Sequence, residues 1–377
     1  MNKAASGITA LLAVTALCLS GCGPTTAKMT SPSASVSPIK VSEAESSCLE
    51  YVQNKLSDGG GGIYTNNFGS TESDSLASCE EVLSESEGLM LCYYAASSNR
   101  IGFESVLGFI QNRLDSGQII FYRLGQDGSP YKVNAAIDDL RILRGIIEGS
   151  EALMVPEYQE LCLQYADRLY STNVKNGLLY DFYDEEYEKA GKSCTLCYSD
   201  LKTMLLLSKS DERWLAVEKN MREMILNGYL GNDFPFFQTS FQPDSNTYHS
   251  EKINMIEALL TVLHLSEVGA CPRQTVSWLE YTLLSGAIYG AYRKNGTPSV
   301  SFESTAIYSL CVLIGVSENN PTLAKEAVNG LLALRISDKS SGLYGAFADA
   351  GSGKAYSYDN LMALTALRAY DTYTRVH

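Results

Sequence analysis

The chain repeats one pattern six times: an acidic residue followed by an apolar run long enough for a helix. The segments read SESEGLMLCYYAA from Ser84, AAIDDLRILRGII from Ala135, CYSDLKTMLLL from Cys197, HSEKINMIEALLTVL from His249, SFESTAIYSLCVL from Ser301 and SYDNLMALTAL from Ser357. Aligned on their acids, Glu87, Asp139, Asp200, Glu251, Glu303 and Asp359 are separated by 52, 61, 51, 52 and 56 residues. A period of this length signals an array of supersecondary units, each too small to bury its inner face alone. Because the units hold helices only, the expected product is one all-α domain. It is an (α/α)6 toroid, a closed ring of six helical hairpins with the acids gathered at one mouth.

The segments between the apolar runs complete the hairpins. Amphipathic helices are predicted near Cys48 to Leu56, Phe103 to Leu114, Pro156 to Leu169, Glu212 to Leu226, Arg273 to Ala287 and Thr322 to Leu334. In PEYQELCLQYADRLY, apolar Tyr158, Leu161, Tyr165 and Leu169 share one face, the pattern of a helix with one solvated side. These helices belong outside. The acid-led helices are apolar nearly all round and belong inside, buried on both sides. Inner-to-outer links are short, whereas outer-to-inner links are longer than helix connections usually are, which points to function at their end. Several of the long links open with a glycine and an aromatic, as in NGLLYDFY at Asn176 and SGLYGAF at Ser341.

The chain has 377 residues and a net charge of −14, which disfavours phosphate-mediated binding of nucleic acid. Only His249, His264 and His377 are present, too few for a histidine-rich metal site. No cofactor is implied.

Near the start, Lys3 precedes the apolar stretch ITALLAVTALCLS and then Leu19 to Cys22, LSGC, in the form of a secretory signal. LSGC resembles the lipobox of bacterial lipoproteins, which implies cleavage before Cys22 and a diacylglycerol on its sulfur. The expected organisation is signal and lipobox at residues 1–22, a Ser/Thr/Pro-rich tether at 23–44 and the toroid at 45–377. That places the protein on the outer face of a bacterial membrane, as a monomer. Of ten cysteines, eight remain after Cys18 and Cys22, an even number that permits disulfides. Cys92, Cys162 and Cys311 read as buried thiols, Cys48 and Cys79 as a possible staple. Cys194 and Cys197 form a CxxC that lacks the second pair zinc would need, so no metal site is predicted.

Ser86-Glu87-Gly88, followed by Leu89-Met90-Leu91, resembles the SEG motif of family 8 glycoside hydrolases, whose fold is a six-hairpin barrel. The resemblance implies that Glu87 is the general acid. It also aligns Asp139 of Ala135-Ala136-Ile137-Asp138-Asp139 with an aspartate of the region that binds the sugar at the cleavage point, with Asp138 beside it. Ser250-Glu251-Lys252-Ile253-Asn254-Met255 stands where many members carry the catalytic base, with glutamate in place of aspartate. Phrases such as FESTAIYSL and YSYDNLMAL are similar to a divergent lipid-anchored branch associated with exopolysaccharide synthesis, which implies the synthase machinery as a partner.

The residues support the same chemistry independently. Glycosidic hydrolysis needs one carboxylic acid to protonate the leaving oxygen and one carboxylate to activate water or attack carbon. Helix starts favour ionised carboxylates, and crowding of several acids in a partly dry mouth raises one of them. Acids in a first turn also serve as ordinary helix caps, the reading favoured for Asp200, Glu303 and Asp359. Twenty-four tyrosines supply flat amphipathic rings for sugar faces, with Tyr122, Tyr180, Phe236 and Tyr344 in mouth loops as candidate contacts. Trp214 and Trp278 fall in outer helices and read as packing. Two alternatives stay open: a catalytically inactive glycan-binding lipoprotein, and a polysaccharide lyase using Tyr248-His249.

Overall fold

The computed structural model describes residues 38–68 and 80–376. Twelve α-helices alternate between two concentric rings. The outer helices are α1 (Pro38–Lys55), α3 (Arg100–Phe109), α5 (Glu157–Asn173), α7 (Arg213–Asn227), α9 (Arg273–Ser285) and α11 (Pro321–Ala333). The inner ones are α2 (Ser84–Ala96), α4 (Ala136–Ala152), α6 (Leu201–Ser208), α8 (Met255–Ser266), α10 (Thr305–Ser317) and α12 (Ser357–Val376). Each inner helix packs on the next, and α12 returns to α2, so the ring closes. Ser86 and Ser357 share a hydrogen bond of 2.9 Å across that seam.

Sequence pattern decides which ring a helix joins. In α5 the buried Cys162, Tyr165, Ala166, Leu169 and Asn173 recur at helical spacing, while Glu157 and Glu160 in the first turn complement the helix dipole. In α10, by contrast, every residue from Thr305 to Val312 is buried, as a helix packed on both sides requires. Trp214 is fully buried and Trp278 packs against Phe234 and Phe236, as packing residues do. α3 ends in a π-helical turn, Ile110–Leu114.

Two sequence expectations shift. α1 begins at Pro38, ahead of the boundary placed at residue 45, because Val41 and Ala44 continue the buried stripe of Cys48 and Val52. The long links are not plain loops either: they carry strand pairs of two or three residues, such as Val82–Leu83 against Arg123–Leu124 and Ser240–Gln242 against Thr247–His249. Among the described residues, no helix is long and apolar enough to cross a membrane. Cys22, the signal, most of the tether and Cys79 lie outside the described residues.

Candidate active site

The strand pair Val82–Leu83 and Arg123–Leu124 fixes where α2 starts. The Ser84 N–H donates to the Tyr122 carbonyl at 3.0 Å, and its hydroxyl donates to Asp138 Oδ2 at 3.0 Å. The next residue, Glu85, turns into the bore of the ring toward Arg141 of α4. Arg141 Nη1 lies 2.9 Å from Asp138 Oδ1 and 3.6 Å from Glu85 Oε2. Burial pushes the Glu85 carboxyl up to about 8, against the opposing pull of Arg141, so it carries a proton at neutral pH. Asp138 is raised from the usual carboxylate range by the same desolvation. Even so, 16% of the Glu85 side chain stays open to solvent.

Other groups surround this cluster. Tyr198, in the 3₁₀ turn before α6, interacts electrostatically with both Asp138 and Glu85, and Tyr358 of α12 interacts with Arg141. Glu257, in the first turn of α8, acts on Cys197, which also feels Arg141 and Asp181. In a ring of six, α8 stands opposite α2. Asp181 accepts hydrogen bonds from Ser193, at 2.6 Å, and from Thr195, and burial raises its carboxyl to about 6.

Glu87 points elsewhere. Two residues of α-helix turn by about 200°, so Glu85 and Glu87 face opposite directions. The Glu87 side chain is fully buried; its Oε1 accepts the Ile63 N–H at 2.7 Å, and its Oε2 has no hydrogen-bond partner among the described residues. Burial holds this carboxyl well above its usual range. The covering loop reaches it through Gly61, at φ +110°, where a Cβ would lie 2.4 Å from the Ser105 carbonyl oxygen. Asp139 is likewise turned away from its neighbour Asp138. It receives a 2.6 Å bond from Asn134 and sits beside Arg168 and Tyr165, with burial pushing its carboxyl well up.

The other repeat acids disperse rather than share one mouth. Asp200 caps α6 and pairs with Arg144 at 2.5 Å, next to Glu267 at the opposite end of α8. Asp359 accepts the Ala306 N–H at 3.0 Å, stitching α12 to α10, and Glu303 accepts from the Tyr308 hydroxyl. Glu251 is exposed in a bend beyond the strand that ends at His249. Tyr248 donates to the Met224 carbonyl while His249 is exposed, so this pair lies outside the Glu85 cluster.

Among the aromatic candidates, Phe236 is fully buried and packs edge-on against Trp278, while Tyr122 and Tyr180 are also buried. Tyr344 donates to Glu43 on α1, outside the ring. These four rings therefore hold the loops in place. Of the residues singled out from sequence, only Asp138 joins the bore cluster. Glu85, Arg141, Tyr198, Glu257 and Tyr358, which share the bore with it, were not singled out from sequence, although the spacing of Asp138 and Arg141, three apart on a helix, was a usable signal.

Among the described residues, seven cysteines are free thiols, including Cys194 and Cys197, both buried and raised above the usual thiol range. Among the described residues, no group of three His, Cys, Asp or Glu is placed to hold a metal ion.

No protein-family model matches the chain. The chain is similar to "Putative lipoprotein YdaJ" of Bacillus subtilis, 26% identical over 290 residues, 76% of this chain and 78% of that one. Among solved structures it resembles "a novel alpha-amylase from Clostridium perfringens", with a TM-score of 0.82 and 28% identity over 87% of this chain and 98% of that one. PssZ from Listeria monocytogenes gives a TM-score of 0.67 at 19% identity, covering 90% and 96% of the two chains. A cold-adapted family 8 xylanase gives 0.62 at 10% identity, covering 88% and 91%. The fold is that of the family 8 glycosyl hydrolases, the six-hairpin toroid expected from the repeat.

Proposed function

We propose that the chain is a glycoside hydrolase that cleaves a polysaccharide, with Glu85 as general acid and Glu257 as the carboxylate that activates water. The observation that carries this reading is a partly solvent-open carboxyl held at the bore 3.6 Å from Arg141, which Asp138 orients, with burial pushing it up to about 8. Such a group can protonate a departing glycosidic oxygen at neutral pH. Glu257, in the first turn of α8 across the ring, takes the proton from water that attacks the anomeric carbon from the other side, the route that inverts configuration. Asp138 is engaged by Ser84 and Arg141, so its task is to orient Arg141. Glu87 is assigned to holding the Gly59–Ile63 loop, and Asp139 to the α4–α5 contact.

Similarity to the Clostridium perfringens alpha-amylase supports an α-linked glucan as the first substrate to assay, beside β-linked glucans and the producing strain's own matrix polymer. Release of new reducing ends that disappears in Glu85→Gln is the expected result. Binding of a polymer with no cleavage would replace this reading with that of a glycan-binding lipoprotein. The likeness to a protein named as a lipoprotein supports anchoring through a lipid on Cys22, at the outer face of the cytoplasmic membrane. Cys22→Ala should move the protein from the membrane to the soluble fraction.

A further inference from the structure

The end of the toroid opposite the bore cluster carries an anomaly. Four of its tight inner-to-outer turns close with the same motif, in which one residue takes a left-handed backbone and two N–H groups return to the helix. The left-handed positions are Ser98, Met154, Gly269 and Asn319, with φ of 53°, 56°, 67° and 50°. At the α4 turn, Met154 N–H donates to the Glu151 carbonyl and Val155 N–H to that of Ser150. At the α10 turn, Asn319 N–H donates to Val316 and Asn320 N–H to Gly315. Glycine and asparagine suit this conformation; methionine is strained in it.

Met154 gains no packing in return, since it is 86% exposed. Ile101, on the adjoining α2–α3 hairpin, is 84% exposed, and Val376, at the same end of α12, is 76% exposed. These are the three most exposed large apolar side chains among the described residues. A strained backbone that presents an apolar side chain to water points to a role outside the fold.

The course of the chain indicates what covers this end. α1 runs antiparallel to α12, as the Glu45–Arg368 pair at 2.6 Å and the Cys48 contact with Asn360 together record, so Pro38 lies at the turn end. Fifteen residues, 23 to 37, separate it from Cys22. A segment of that length spans at most about 50 Å.

Resting on the lipid anchor proposed above, we infer that Ile101, Met154 and Val376 form a membrane-contacting face. They dip into the outer leaflet beside the anchor and aim the opposite mouth away from the membrane, toward polymer. The two acyl chains of the diacylglycerol hold the protein at the membrane, and the apolar side chains fix its orientation there. The net charge of −14 makes this contact apolar rather than electrostatic, so it resists salt.

Met154 is its own probe. Met90, Met204, Met221, Met224, Met255 and Met362 are buried, leaving Met154 as the exposed methionine among the described residues. Aqueous peroxide oxidation, followed by peptide mass spectrometry, should modify Met154 rapidly in soluble Cys22→Ala protein. On phosphatidylglycerol–phosphatidylethanolamine vesicles carrying the lipidated chain it should slow by about fivefold or more, as burial at the headgroup boundary requires. Mass spectrometry of the amino-terminal peptide tests the anchor separately. If Cys22 bears no lipid, coupling it to a maleimide phospholipid supplies the tethered state and the footprint is still read. Equal oxidation rates on and off vesicles would overturn the inference. Met154→Asn should keep Tm or raise it by about 1–2 °C, since asparagine suits the turn. A clear fall in Tm would assign Met154 to the fold and also overturn the inference.

Discussion

Gly88 and Arg141 stand so close across the α2–α4 contact that a Cβ on Gly88 would lie 2.9 Å from the Cβ of Arg141. The atom met is the root of the arginine side chain, which cannot swing aside. The glycine therefore lets the two inner helices approach, and that approach brings Arg141 within reach of Glu85 one turn earlier on α2. Gly88→Ala should spread the helices and cost about 1–3 kcal/mol, the usual range for overpacking. Thermal unfolding would register the loss, and turnover should fall as Arg141 is displaced. An unchanged Tm with full turnover would mean that the helices part freely.

Glu85 and Glu87 can be told apart by the same substitution made at each. Glu85→Gln keeps the shape but removes the transferable proton, so turnover should drop by about 10² to 10⁴ with little change in ligand affinity. Burial holds the Glu87 carboxyl well above its usual range while Oε1 accepts the Ile63 N–H, a geometry that an amide oxygen reproduces. Glu87→Gln should therefore leave turnover within about threefold, a shift smaller than one charge-assisted hydrogen bond. Loss of activity in Glu87→Gln with retention in Glu85→Gln would restore the SEG glutamate as the acid.

The acid must be protonated to act, so kcat/KM should decline as pH rises through about 8, by about tenfold per unit once Glu85 is ionised. The stability effect has the same sign. A carboxyl raised from 4.5 to about 8 contributes stability fully below 4.5, and this is lost as pH rises through about 8. A basic limb set by a group well below 8 in the activity profile would exclude Glu85 from this role.

The ring itself was legible because its signal is distributed: six apolar helices at a regular spacing cannot be buried any other way. The direction in which each acid points was not, because it turns on single-residue phase. Glu85 and Glu87 differ by two positions and Asp138 and Asp139 by one, and each step moves a side chain from the bore to the contacts between helices. A short motif drew attention to Glu87, while the strand Val82–Leu83 that sets the phase of α2 is too short to read from sequence. Three of the loop aromatics, Tyr122, Tyr180 and Phe236, lie deeper than an open mouth would hold them, for a related reason. Long links with an aromatic after glycine suggest an open mouth, yet Phe236 and Tyr180 anchor the links by entering the core.

Asp200, at the N-cap of the eight-residue α6, is part of a buried ionic clamp one turn along α4 from Arg141. Arg144 donates to Thr203 Oγ1 at 2.9 Å, to Glu267 at 2.6 and 2.8 Å, and to Asp200 at 2.5 Å, joining α4, α6 and α8. Burial alone would raise the Asp200 carboxyl, but Arg144, His264 and the two hydrogen bonds from Thr203 together outweigh it, and the group falls to about 2. Its contribution is thus present above 3.8 and is lost as pH falls through about 2. Arg144→Ala leaves the buried Asp200 without its guanidinium and Glu267 with only Lys202 at 3.9 Å, and should cost about 3–5 kcal/mol. Lysine cannot recover this, since one ammonium does not reproduce a planar fork serving three partners. Arg144→Met with Glu267→Gln and Asp200→Asn removes the charges together, so it should be milder than Arg144→Ala alone. Denaturant unfolding of the three variants measures the order, and an Arg144→Ala chain as stable as the parent would show that the clamp holds nothing.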